Sequence, residues 1–278
     1  MPPLPFGPGA SMPASIEVSP SLNPERLSAN QADMTRPAAA AGKTLIVIPA
    51  HDEELNIGPV LDELEGLGLG HDVIVVDDAS TDSTRHEVER RGKRCLRLST
   101  NLGYGGAVQA GFKYALQHGY DFVVQMDGDC QHDPRSIPFL LETVRSSEAD
   151  VALGSRFLGK LQYEVKPLRR IGIALFRTVV SIIMKHRITD PTSGFQAMNL
   201  RALKFFTGDS YPMDYPDSDV LLALHFAGFK IREVPVTMRP RLRGQSIHGG
   251  WKNFYYVAKM VLAIFVVLLR DFRKKAER

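Results

Sequence analysis

Cysteine is scarce. The 278 residues contain only Cys95 and Cys130, far apart and with no C-x-x-C spacing. No disulfide framework or zinc site follows, and a reducing compartment is expected. Charge of one sign is also missing. The 34 Lys and Arg against 31 Asp and Glu leave a formal charge of +3, too mild to argue for a nucleic-acid partner. Long apolar runs are absent too. The uninterrupted run from Met260 to Leu269 is about half of the roughly 20 residues that a spanning helix needs. A polytopic membrane protein is therefore excluded. The first residues lack the basic start and apolar stretch of a signal peptide. What is present is ordinary for a globular chain: 44% hydrophobic and 23% charged residues, enough for one large domain or two small ones.

The ends differ from the middle. Eight of the 18 prolines fall before residue 42. Apolar periodicity is absent there, so residues 1–41 read as a disordered tail. Met34 is expected to be the true start, since the first strand begins soon after it; native protein carrying residues before Met34 would reject that. Residues 42–250 read as the folded domain. Residues 251–278 read as a C-terminal helix. Trp251, Phe254, Tyr255 and Tyr256 come first, then the apolar run, then Arg270, Arg273, Lys274 and Lys275. That order suits a helix in a membrane interface. The same helix could pack on the core or form a contact in a homo-oligomer.

Between the ends, short apolar strands alternate with helices. Strands are expected at Thr44 to Pro49, Asp72 to Val76, Arg94 to Leu98, Asp121 to Met126 and Asp150 to Leu153. Helices are expected around Glu53 to Leu64, from Asp82 to Arg91 with Ser80 or Thr81 as cap, after the Asn101 to Gly106 turn, and from Pro134. This order indicates an α/β fold, a parallel sheet covered on both faces. In such sheets ligands collect beyond the carboxyl ends of the strands.

Those strand ends carry the chemistry. Asp127-Gly128-Asp129 follows the fourth strand. Two carboxylates one residue apart can face one hard cation, with Gly128 letting the chain turn sharply and Gln131 adding a carbonyl oxygen. A solvated turn is the plainer reading. Asp217-Ser218-Asp219 has the same spacing but follows no apolar strand. Asp77 and Asp78 end the second strand, where carboxylates can accept from ribose hydroxyls or a base N–H, or cap a helix. Pro49, His51 and Glu53 end the first strand. Glu53 could bond a nucleotide or simply favour a helix dipole. The Asn101 to Gly106 turn lacks GK[ST] and G-x-G-x-x-G, so it reads as a tight turn, with backbone contact to a nucleotide near Gly105 as the alternative. Arg156 follows the fifth strand. Arg239, Arg241, Arg243, Ser246 and His248 form a basic loop suited to anions, or a solvated loop beside a membrane. Ile171 to Met184 is apolar with basic flanks and could rest on a membrane or lie in the core.

Four of these motifs occur in a fixed order: Asp77-Asp78-x-Ser80-x-Asp82, Asp127-Gly128-Asp129-x-Gln131-His132-Asp133-Pro134, Gly154-Ser155-Arg156 and Asp190-Pro191-Thr192-Ser193-Gly194-Phe195. The combination resembles family 2 glycosyltransferases of the GT-A (Rossmann-like) fold. The nearest branch is similar to the dolichyl- or polyprenyl-phosphate sugar synthases. The resemblance implies inverting transfer of a sugar from a nucleotide-sugar donor, UDP- or GDP-linked, to a polyprenyl phosphate on the cytoplasmic face of a membrane. It implies nucleotide contact by the first two strand ends. It places Mg²⁺ or Mn²⁺ and the donor diphosphate at Asp127, Asp129 and Gln131, and the acceptor phosphate near Arg156 and Ser193. The segment from Arg239 through Arg243 to Ser246 resembles the family's mobile R-x-x-G-x-S loop. Two departures stand out: the lysine usual after that serine is Ile247, and the multi-span C-terminal domain of some relatives is absent. A phosphate acceptor is already ionised and needs little help from a base; a hydroxyl acceptor would need one. Asp217, Asp219 and Asp190 are the candidates. A same-fold transferase using a glycan or protein hydroxyl is the main alternative. A nucleotidyltransferase would carry a glycine- and lysine-rich loop where PAHDEE stands, and an inactive scaffold would have a broken D-x-D.

Overall fold

The computed structural model describes residues 42–159, 167–209, 211, 218–240, 262, 264–267 and 269. The chain forms β1 (Thr44–Ala50), α1 (Ile57–Gly66), β2 (Asp72–Asp77), α2 (Thr84–Arg90), β3 (Arg94–Arg97), α3 (Gly103–Gln117), β4 (Phe122–Gln125), a 3₁₀ turn (Pro134–Ser136), α4 (Ile137–Arg145), β5 (Val151–Ser155), α5 (Pro167–Met184), β6 (Gln196–Asn199), α6 (Leu200–Phe206), α7 (Ser218–Phe226) and β7 (Ile231–Pro235). The strands make one sheet in the order β3-β2-β1-β4-β6-β5-β7.

β1 alternates its side chains between the two faces. Leu45 and Val47 pack with Ile74, Val76, Val108, Phe112, Leu203 and Phe206, under α3 and α6. Ile46 and Ile48 pack with Ile57, Leu61, Leu64, Leu140, Leu141 and Val144, under α1 and α4. A central strand buried on both faces is mostly apolar, and β1 is apolar at every residue after Thr44. The α3 contact is close enough to demand a glycine. A Cβ at Gly111 would overlap Val47 and come within 3.2 Å of Val76. A third cluster joins Phe176, Val180 and Met184 of α5 to Ile188, Leu222 and Ile264.

The sheet departs from a purely parallel one at β6. It pairs antiparallel with both β4 and β5, whereas β1, β2, β3 and β4, and β5 with β7, pair parallel. The fold is thus a mostly parallel α/β sheet with one reversed strand. β6 is four residues, Gln-Ala-Met-Asn, too short and polar to stand out as an apolar run. β7 carries the exposed Arg232 and the half-buried Glu233, whose carboxylate is bonded inward to Thr189 and Asp190.

Several boundaries also move. α1 starts at Ile57 with no acidic residue in its first turn. Residues before it form a turn, with Asn56 and Ile57 N–H both donating to Glu53 O. Glu53 therefore serves no helix dipole. α2 starts at Thr84, and neither Ser80 nor Thr81 caps it. Asp82 accepts from Thr84 N–H at 2.9 Å, while Ser80 Oγ accepts from Asp52 N–H at 3.0 Å. The sharp turn after β4 falls on Cys130, at φ 67°, and Gly128 has no left-handed backbone. The expected tail 1–41 and most of 251–278 lie outside the described residues.

Candidate active site

Three loops meet at the carboxyl ends of β1, β2 and β4. The first two are laced together by reciprocal bonds. Thr81 N–H donates to Asp52 Oδ1, Glu53 N–H to Thr84 Oγ1, Glu54 N–H to Asp82 Oδ2 and Ser83 N–H to Glu54 Oε2. Three non-glycine residues hold left-handed backbones here: Asp52 (φ 53°), Ala79 (φ 55°) and Cys130 (φ 67°). Each such residue costs about 1 kcal/mol, and this strain concentrates at the strand ends where ligands bind.

The two adjacent aspartates of β2 divide their work. Asp78 accepts from the N–H groups of Leu102 (2.7 Å) and Gly103 (2.9 Å). It thereby caps the amino end of α3 and fixes the glycine-rich turn. Gly105 lies in the buried first turns of that helix. Asp77 accepts from Ser80 N–H at 2.9 Å. Its other oxygen is buried without a hydrogen-bond donor among the described residues, with Arg97 Nε 3.8 Å away. His51 Nδ1–H donates to Asp78 O at 2.8 Å, and the ring edge meets the Asn101 amide. Pro49 sits in β1 opposite Val76. His51 and Asn101 thus meet beside Asp78, and Arg97 adjoins Asp77.

Asp127 is held from two sides. Tyr104 O–H donates to Asp127 Oδ1 at 2.8 Å. The Asp127 backbone N–H donates to His132 Nδ1 at 2.9 Å, which places the imidazole proton on Nε2, 3.6 Å from Asp127 Oδ2. The His132 ring stacks on Phe195, 4.7 Å between centroids. Burial drives its pKa down to about 4, with Asp129 and Asp190 pulling up and Arg156 pushing down. The imidazole is neutral. Gly128 rests against Ile48, Ile57 and Pro49 O, each 3.4 Å from where a Cβ would lie. Gln131 N–H donates to Asp129 Oδ1 at 3.1 Å.

Arg156 is buried just past β5. Its backbone N–H and Nε both donate to Asp190 Oδ2, at 3.0 and 2.6 Å, and Nη2 reaches Thr192 O at 3.3 Å. Asp190 is wholly buried. The turn that carries it is held by Glu233, whose carboxylate accepts from the N–H groups of Thr189 and Asp190. Burial pushes the Glu233 pKa up, partly offset by those N–H groups. Ser193 is buried and accepts from Phe195 N–H at 3.3 Å. Arg239 is already engaged. Its guanidinium bonds both Glu63 oxygens, at 2.8 and 2.7 Å, and meets Asp133 at 2.8 Å. It anchors the start of the basic loop beside Gln131, whose O accepts from Arg239 N–H. Arg241, Arg243, Ser246, His248 and Asp217 lie outside the described residues. Asp219 is buried in the first turn of α7. Ser218 beside it donates to Pro191 O at 3.4 Å.

The family model described as "Glycosyl transferase family 2" matches residues 45–206, from β1 through α6. The chain belongs to glycosyl transferase family 2. The match takes in Asp77, Asp127, Asp129, Arg156 and Asp190; α7, β7 and Arg239 fall beyond it. The chain is 33% identical over 216 residues to an undecaprenyl-phosphate mannosyltransferase of Micrococcus luteus, covering 75% of this chain and 88% of the relative. It is 30% identical over 226 residues to a dolichol-phosphate mannosyltransferase of Pyrococcus furiosus, covering 77% of this chain and 62% of that one. In fold it is similar to glucosyl-3-phosphoglycerate synthase of Mycobacterium tuberculosis, solved with Mn²⁺, UDP and glucosyl-3-phosphoglycerate. The TM-score is 0.64 at 19% identity, covering 85% of each chain.

Sequence reasoning singled out Asp77, Asp78, Asp127, Asp129, Arg156 and Asp190, but not Glu63, Arg97 or Glu233, which pair with or adjoin the charged groups at this edge. It missed the neutral ones that arrange them: Tyr104, Gln125, His132 and Gln196. His132 and Tyr104 each sat inside a quoted motif, and that position was the only signal. Glu233, on a strand the sequence did not reveal, had none.

Proposed function

We propose that this chain is an inverting glycosyltransferase moving a sugar from a nucleotide-sugar to a polyprenyl phosphate at a membrane surface. One observation carries the reading. Asp127, held by Tyr104 and His132, and Asp129 follow β4, and the buried Arg156 follows the parallel-running β5 at the same carboxyl edge of the sheet. An anionic diphosphate needs a cation between it and two carboxylates, and a phosphate acceptor needs a fixed guanidinium. The names of the relatives above support the acceptor assignment.

The donor set fits Mg²⁺ or Mn²⁺. Such ions take one or two carboxylates and fill their remaining positions with water and substrate phosphate. Asp127 and Asp129 would hold the ion, with Gln131 adjoining. When bound, it supplies positive charge against the leaving diphosphate. His51, Glu53 and Arg97 are assigned to the nucleotide. Asp77 and Asp78 shape that pocket by holding the β2 and α3 turns. Asp190 is assigned to positioning Arg156 rather than to proton abstraction, because both its Oδ2 contacts go to that arginine. The acceptor phosphate is ionised at neutral pH, so the attacking oxygen needs no base. The basic loop anchored by Arg239 is assigned to the diphosphate.

Membrane association is proposed from apolar exposure. No helix among the described residues is long and apolar enough to cross a membrane. Leu175 and Ile182 of α5 and Leu262, Phe265, Val266 and Leu269 are nevertheless exposed, while Ile264 shares a core with α5. Such helices suit the interface of the cytoplasmic leaflet, where the donor is available.

The test is nucleoside diphosphate release from a panel of UDP-, GDP- and dTDP-sugars, with and without undecaprenyl phosphate in detergent and Mn²⁺. One donor should be consumed, and the lipid phosphate should raise the rate at least about tenfold, since an absent acceptor leaves only slow hydrolysis. Release indifferent to the lipid but raised by a glycan would favour the hydroxyl-acceptor reading.

A further inference from the structure

Gln125 of β4 and Gln196 of β6 stand opposite each other in the antiparallel ladder, and both are buried. Two amides in a sheet interior are costly unless bonded, and apolar residues would fill those positions at less cost. Here they form a directed chain. Gln196 Nε2 donates to Gln125 Oε1 at 2.8 Å. Gln125 Nε2 donates to Tyr104 Oη at 2.8 Å. The tyrosine has one proton, and it goes to Asp127 Oδ1 at 2.8 Å. Every dipole in the series points its positive end at the carboxylate, in a setting where hydrogen bonds are strengthened by low polarity.

The space around the hydroxyl is reserved as well. A Cβ at Gly194 would lie 2.5 Å from Tyr104 Oη and 3.6 Å from Asp127 Oδ1. Gly194 is not in the left-handed region, so the glycine answers to this clearance and not to its own backbone. The glycine-rich turn and the Asp190 to Phe195 motif thus meet at one hydroxyl.

We propose that Tyr104 is a positioning residue that fixes the Asp127 carboxylate for the donor diphosphate and its cation. Gln125 and Gln196 orient its proton, and Gly194 makes room for it. The proposal rests on the reading of Asp127 and Asp129 as the diphosphate site. A carboxylate left to rotate would meet the cation in only part of its conformations, so both binding and turnover would suffer.

The experiment measures free Mn²⁺ by electron paramagnetic resonance during titration of the full chain, in the presence of UDP or GDP. Wild type, Tyr104→Phe, Gly194→Ala and Asp129→Ala are compared, with thermal melts and transfer kinetics on each. Tyr104→Phe and Gly194→Ala should each weaken Mn²⁺ binding about tenfold, the value of one hydrogen bond to a charged group. Transfer kcat should fall with it, while Tm falls by only the few degrees that the unpaired Gln125 amide costs. Mn²⁺ affinity and kcat unchanged in Tyr104→Phe, while Asp129→Ala loses the ion, would overturn this proposal alone. Losses that merely track a falling Tm would overturn it in favour of a packing role. A wild-type chain that takes up no Mn²⁺ with either nucleotide would overturn the metal reading and this proposal with it.

Discussion

Asp129→Ala is expected to lower sugar transfer by about 10³-fold, the scale seen when one charge-stabilising group is removed from a developing anion. Cleavage of the anomeric bond leaves negative charge on the diphosphate. On the proposed reading, a cation between the two carboxylates at the end of β4 and the diphosphate offsets that charge. The change removes the Gln131 N–H bond to Asp129 Oδ1, but the loop keeps the left-handed Cys130, the Asp127 N–H bond to His132 and Arg239 N–H to Gln131 O. Donor-dependent release of nucleoside diphosphate, run beside a thermal melt, checks this. A loss of activity with Tm unchanged is the expected result. Asp129→Asn, which keeps an oxygen but removes the charge, should recover little.

Asp190→Ala should act mainly on stability. Arg156 is buried and bonded to Asp190 through both its backbone N–H and its Nε. Removing the aspartate leaves a buried guanidinium without its counter-charge, a loss of about 3–5 kcal/mol. For a domain of this size that is a fall of about 10 °C in Tm. The Arg156→Ala/Asp190→Ala pair should be less destabilised than the sum of the single changes, because the second truncation removes the stranded charge. Arg156→Lys should fold yet bind the acceptor phosphate poorly, since an ammonium cannot reproduce the planar fork. Denaturant melts of the four variants test the coupling, and equal, additive losses would refute it.

The division between what the sequence shows and what it hides has a physical basis. β1 and β2 were legible because central strands buried on both faces must be apolar runs. The carboxylates were legible because polar residues directly after such runs lie at a ligand edge. β6 was not, since its side chains alternate between a buried glutamine relay and the core, and its direction depends on the long path through α5. The starts of α1 and α2 were placed too early because Glu53, Ser80 and Asp82 bind the neighbouring loop before either helix begins. Asp78 reads first as a nucleotide contact and second as a cap; its two bonds to the α3 amino end cap a helix 25 residues onward, which no local pattern discloses. Asp190 is one of three candidate bases, with Asp217 and Asp219, and the sequence does not choose among them. Only its burial against Arg156 points it to another task.

The central claim is that this edge of the sheet joins a sugar to a lipid phosphate. Its most direct test uses the full chain with liposomes containing undecaprenyl phosphate, a radiolabelled nucleotide-sugar and Mn²⁺, followed by extraction into organic solvent. The account predicts label in the lipid phase that disappears with Asp129→Ala and without the metal. Donor consumed at the same rate with the label left in water, or carried by a glycan, would contradict it.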